Sequence, residues 1–186
     1  MITVTLDDNT IIEYNSFDDI INYDKIVKLN CSNNNLTSLP ESIGKLINLK
    51  KLCCFYNQIK ELPESIGNLI NLKELYCSNN KLTSLPDSIG NLTNLKSLYC
   101  FNNQLTLLPE SIGNLIDLNS VSCVINQIKE LPDTIINLKN INRFYKDELT
   151  LTPQQERYFK WIKSNKSYPF DEHVDTTLVK CAYFGV

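Results

Sequence analysis

The sequence of 186 residues is 42% apolar, carries a net charge of −3 and holds seven cysteines against a single histidine, His173. A chain of this length suits one continuous core. The lack of a basic excess argues against nucleic acid or an anionic membrane as a partner, because phosphate recognition rests on clustered Lys and Arg. No stretch approaches the roughly 18 apolar residues that a membrane span requires.

Residues 1–25 read as an N-terminal cap. Ile2, Val4 and Leu6 alternate with Thr3 and Thr5, Asp7 to Asn9 forms a turn, and Ile11 to Tyr14 returns as a second strand, which predicts a hairpin. Ser16 with Asp19 resembles a capping box and predicts a short helix before the next strand. Six acids (Asp7, Asp8, Glu13, Asp18, Asp19, Asp24) face one base, Lys25, which reads as a solvated end. The start, MITVTLDDNT, lacks a basic n-region and its apolar run stops at Asp7, so we expect no signal peptide and a cytoplasmic protein.

Residues 26–148 are one unit written repeatedly. The stretch 72–94, LKELYCSNNKLTSLPDSIGNLTN, has its first residue matched by Ile26, Leu49, Leu95, Leu118 and Ile141, each step being 23 residues. The ninth position is Asn34, Asn57, Asn80, Asn103 and Asn126, and the fifteenth is Pro40, Pro63, Pro86, Pro109 and Pro132. Self-similarity at one period means a stacked array in which neighbouring coils complete one another's core. Five full repeats and a partial sixth are present.

Within each unit, positions 3 to 7 alternate as a short parallel strand. The ninth-position Asn is suited to bond the backbone where the chain leaves the strand, so stacked coils predict an Asn ladder. The Pro is expected in the first turn of a short helix. Gly44, Gly67, Gly90 and Gly113 share one position and predict close approach of neighbouring turns. Ile136 replaces the glycine in the fifth repeat, as expected of a coil with no full neighbour behind it.

These residues resemble the leucine-rich repeat family, in the 23-residue L-P-x-x-I-G subclass of Ras-suppressor-like and plant intracellular Ras-group-related proteins. The resemblance implies an α/β solenoid, or horseshoe, with short parallel strands on the concave face and helical turns on the convex face. It also implies a signalling adaptor that works by protein–protein interaction. No residue names a GTPase partner.

Five cysteines, Cys31, Cys54, Cys77, Cys100 and Cys123, share the inward sixth position and read as a buried column of small apolar side chains. Zinc needs paired ligands a few residues apart, and His173 lies outside the array, so no metal and no cofactor is expected. Cys53 is read as pointing outward and Cys181 as lying in the tail, which would make these the reactive thiols.

Residues 149–186 close the chain. Ile141 and Phe144 still fit the repeat, but Lys146 stands where the inward Cys should be. Thr152 and Pro153 predict a helix start, with Tyr158, Trp161 and Ile162 as the face that lids the last coil. The tail from Ser164 holds Pro169, Phe170, Leu178, Val179, Tyr183 and Phe184, and either packs on the array or awaits a partner.

Outward strand positions of successive coils form lanes across the concave face, the usual binding surface of such solenoids. Phe55, Tyr56, Tyr76, Tyr99 and Phe101 fall in these lanes as an exposed aromatic patch, extended by Val124 and Ile125 with Tyr145 at the rim. Exposed rigid rings are typical hot spots, whereas cross-strand stacking is the competing explanation. Six strands at about 4.8 Å give a face of only about 300 Å², against about 800 Å² per partner in a standard interface. A peptide, a helix or the tail would fit. Lys50, Lys73 and Lys96 form a row beside the strands.

The expected function is therefore a non-catalytic module that binds a protein or peptide, as a monomer or weak homodimer, with neither nucleic acid nor membrane as partner. The alternatives are a self-associating structural protein or the recognition arm of a Cys-dependent enzyme using Cys181 near His173. The latter lacks an evident base and activating environment.

Overall fold

The computed structural model describes residues 1–165. Of the tail read above, residues 166–186, with His173 and Cys181, lie outside the described residues. Eight strands form: β1 (Ile2–Leu6), β2 (Ile11–Tyr14), β3 (Ile26–Asn30), β4 (Lys51–Cys53), β5 (Glu74–Tyr76), β6 (Ser97–Tyr99), β7 (Ser120–Ser122) and β8 (Arg143–Tyr145). They make one sheet in the order β2-β1-β3-β4-β5-β6-β7-β8. From β3 to β8 all pairings are parallel and in repeat register, for example Leu52 with Leu75 and Leu98 with Val121. The chain returns from each of these strands to the next through a 3-10 turn, at Glu41–Lys45, Glu64–Asn68, Asp87–Asn91, Glu110–Asn114 and Asp133–Asn137. The architecture is the solenoid that the period predicts.

The core is repeated like the sequence. In the central coil Leu72, Leu75, Cys77, Leu82, Ile89 and Leu92 are wholly buried. Asn57, Asn80, Asn103 and Asn126 form the ladder: each Nδ2 donates to carbonyls of its own and the preceding coil, as Asn103 does to Cys100 and Cys77 at 3.0 and 3.1 Å. Asp147 ends the ladder by accepting from the Asn126 N–H. A Cβ on Gly67 would stand 2.7 Å from both Cβ and the carbonyl oxygen of Ser88, so the glycines do permit close stacking. Behind Ile136 the neighbour is a helix rather than another 3-10 turn.

Three local expectations are corrected. The later strands span three residues, not five, because the chain enters a left-handed turn at the eighth position, at Asn79 for example. The prolines sit at the N-cap with extended ψ, 150° at Pro86, and the acid after each begins the turn. Their carbonyls accept the first turn bond, as Pro86 does from Ile89. Trp161 is 48% exposed. In the terminal helix α1 (Pro153–Asn165) the buried stripe is Gln155, Tyr158, Phe159 and Ile162, an i, i+3, i+4, i+7 set that leaves Trp161 on its flank.

Both ends of the core are covered. β1 pairs antiparallel with β2 on one side and β3 on the other, burying Ile2, Val4 and Leu6. Ser16 and Asp19 form a reciprocal capping box. At the far end Thr152 and Gln155 cap α1 reciprocally, Gln155 Nε2 donates to the Leu131 and Pro132 carbonyls, and Tyr158 OH donates to Leu138 O at 2.6 Å. Phe159 meets Phe144 edge-on with ring centroids 5.2 Å apart.

Candidate protein-binding surface

The concave face is built from fifth, seventh and eighth positions, which the parallel register sets side by side. Tyr76 and Tyr99, partners across β5 and β6, stack with centroids 5.1 Å apart and planes 16° apart. Phe55 meets Tyr56 edge-on at 5.8 Å. Phe55, Tyr56, Tyr76, Tyr99 and Phe101 surround a crevice of about 10 Å³, room for about one water, floored by Ser78 and Asn79. The five rings thus come together, half-buried rather than fully exposed.

The patch is less simple than the lanes predict. Val124 is only 5% exposed, which corrects its reading as an exposed extension, whereas Ile125 is 54% exposed. Small side chains beside large ones on neighbouring strands are shaded by them: Cys53, Ser78 and Ser122 are buried in the same lanes. Tyr145 at β8 is half-buried. It stands opposite Ser122 and three strands from Tyr76, so it rims the patch rather than joining the stack.

A polar network that the sequence did not suggest steadies the rings. Lys51 forms an ion pair with Glu74 at 3.1 Å and lies over the Tyr76 ring at 4.9 Å from its centroid. Tyr76 OH donates to Glu74 Oε2 at 3.0 Å, and burial together with the Glu74 carboxylate raises its phenol well above the ordinary range. Tyr99 OH and Ser120 Oγ are hydrogen-bonded at 3.0 Å. The only signal was the charge alternation of Lys51 and Glu74 one repeat apart, which is unremarkable until the register pairs them.

Lys50, Lys73 and Lys96 directly precede β4, β5 and β6, are exposed, and none pairs with a carboxylate among the described residues. A second ladder on the outer flank also escaped the sequence reading, although the template ends in Asn. Asn71, Asn94 and Asn140 each donate to the carbonyl of the isoleucine one coil back, Ile47, Ile70 and Ile116.

Among the described residues the thiols do not make a reactive site. Cys53 is 8% exposed and burial pushes its thiol up to about 11, which corrects its outward, reactive reading. Desolvation pushes Cys31, Cys77 and Cys123 up to about 12, and each donates weakly to the carbonyl of the next strand. No cluster of three potential metal ligands occurs among the described residues, and no helix there is long and apolar enough to cross a membrane.

The description "Leucine-rich repeat region" matches residues 4–106, more than half of the chain. Among solved structures, a leucine-rich repeat protein of Leptospira interrogans is 34% identical over 70% of this chain, with a TM-score of 0.64. The functional domain of InlJ from Listeria monocytogenes, described as including a cysteine ladder, is 25% identical over 67% of this chain, with a TM-score of 0.58. This chain spans 34% and 26% of the lengths of those two. No curated protein matches it.

Proposed function

This chain belongs to the leucine-rich repeat family, and on that premise we propose that it is a non-catalytic module that binds a protein or peptide through its concave aromatic face. Repeat proteins of this family generally bind proteins. The observation that carries the reading is that five rings converge on one crevice although each coil's core is complete without them. Rigid aromatic rings bury much area at small entropic cost, which suits a face of this limited size. Tyr145 rims the surface, and Val124, buried in the same lane, drops out of it. We divide the chain into an N-terminal cap at 1–25, the array at 26–148 and a closing segment at 149–186. We read it as a cytoplasmic adaptor, for which the unpaired thiols of the six cysteines among the described residues suit a reducing compartment.

The test is a pull-down comparison of the native protein with the triple variant Tyr76→Ala, Tyr99→Ala, Phe101→Ala, after circular dichroism shows equal folding. Loss of a specific partner on the variant is expected. An unchanged partner list would sink the concave site and leave the rings as sheet packing. Light scattering on the native protein checks the accompanying reading of a monomer or weak homodimer.

A further inference from the structure

In each of the first five coils the eighth position is left-handed: Asn33, Tyr56, Asn79, Asn102 and Ile125 all have φ between 53° and 57°. The turn out of the strand imposes this conformation. Asn tolerates it because its short amide bonds locally, whereas a β-branched residue there is a genuine outlier. Ile125 departs twice, being β-branched at φ 57° and 54% exposed. Neither backbone preference nor core packing accounts for it. Backbone strain of this kind persists at ligand clamps, where the side chain's use outweighs it.

Three coils earlier Tyr56, a bulky residue at φ 53°, also replaces the usual Asn, half-buried and edge-on to Phe55. Three strand spacings of about 4.8 Å separate the two by about 14 Å. Between them lie Asn79 and Asn102, bonded to each other at 2.7 Å. An extended chain advances about 3.3 Å per residue and turns alternate side chains to opposite sides, so residues i and i+4 project the same way about 13 Å apart. A helix puts its i+7 and i+11 side chains about 10.5 and 16.5 Å along its axis, and neither matches. The other end of the strands carries the row of ammonium groups of Lys50, Lys73 and Lys96, none paired with a carboxylate among the described residues.

We propose that the concave face takes an extended peptide segment that seats apolar side chains i and i+4 against Tyr56 and Ile125 and turns acidic side chains at i+1 and i+3 toward the lysine row. This rests on the concave reading above and names the class of its ligand. A phage-displayed library of random linear peptides, panned on the whole chain, tests it. Enriched peptides are expected to carry the apolar pair at that spacing with Asp or Glu between. Their affinity should fall at least about thirtyfold, as for loss of a hot-spot side chain, on the double variant Tyr56→Asn, Ile125→Asn. That variant relieves the strain and should melt roughly 2–4 °C higher, so a loss of binding is not a loss of fold. Peptides that bind the Asn variant normally but fail on Tyr99→Ala, Phe101→Ala would overturn this inference and leave the concave reading standing. A library that enriches no peptide would likewise overturn this inference alone, whereas enriched peptides indifferent to both variants would overturn both.

Discussion

Asn103 carries the polar load of one rung of the ladder. It is 9% exposed, its Nδ2 reaches the Cys77 and Cys100 carbonyls at 3.1 and 3.0 Å, and its Oδ1 accepts from the Leu82 N–H at 3.0 Å. Asn103→Ala would strand these buried groups and should cost about 3 kcal/mol, read from the urea midpoint. Gly67→Ala belongs to the same scale. The new Cβ would press on backbone as well as on the Ser88 side chain, so the coils must part, at about 2 kcal/mol. Both roles were legible beforehand, because one residue type recurs where one geometric need recurs. The left-handed ridge was not, because Tyr56 and Ile125 occupy it against their own preference.

Among elements, α1 shows where pattern reading falls short. Tyr158 and Ile162 were expected to face inward and do, but Phe159 takes the buried place that Trp161 was expected to fill. A short stripe is compatible with either aromatic. The choice is made by what the last coil presents: Phe144 offers an edge to Phe159, and the Leu138 carbonyl draws the Tyr158 hydroxyl. In a stacked array each unit contacts chiefly its neighbours, so damage at one end should stay there. We therefore expect Ile162→Ala, at a wholly buried site, to cost about 3 kcal/mol. Hydrogen exchange should rise in α1 and β8 while β3 and β4 keep their protection. Uniform loss of protection would refute the picture of local closure.

The whole molecule carries a column of thiols along its interior, and this sets its response to pH. Burial raises Cys31, Cys77 and Cys123 from an ordinary value of 9.0 to about 12. The fold therefore favours the protonated thiols. Their contribution is complete below about 9, where both folded and unfolded chains are protonated. It falls as pH rises from there toward 12, because only the unfolded chain then releases its protons. The unfolding free energy from urea titrations should decline above pH 9 by about 1.4 kcal/mol per pH unit for each fully buried thiol. Cys77→Ala should lower the midpoint at neutral pH and flatten that decline. Equal slopes in the two proteins would remove the thiols as the cause. Native-state alkylation at neutral pH should likewise spare Cys53 along with the column, since both its burial and its raised thiol oppose attack.

The repeating sequence by itself determined the solenoid, the parallel register, the Asn ladder, the buried cysteine column and the close glycine contacts. Each of these answers a need that returns every 23 residues, so it is written into the period and needs no knowledge of neighbours. The tertiary structure alone decided which outward residues stay exposed, because shading depends on the size of side chains one coil away, as Val124 and Ile125 show by their opposite fates. It also decided the Lys51–Glu74–Tyr76 network, since residues a full repeat apart meet only once the strands are paired. A one-dimensional period fixes what every coil shares. What distinguishes one coil from the next, and hence what the concave face can recognise, arises from contacts between coils.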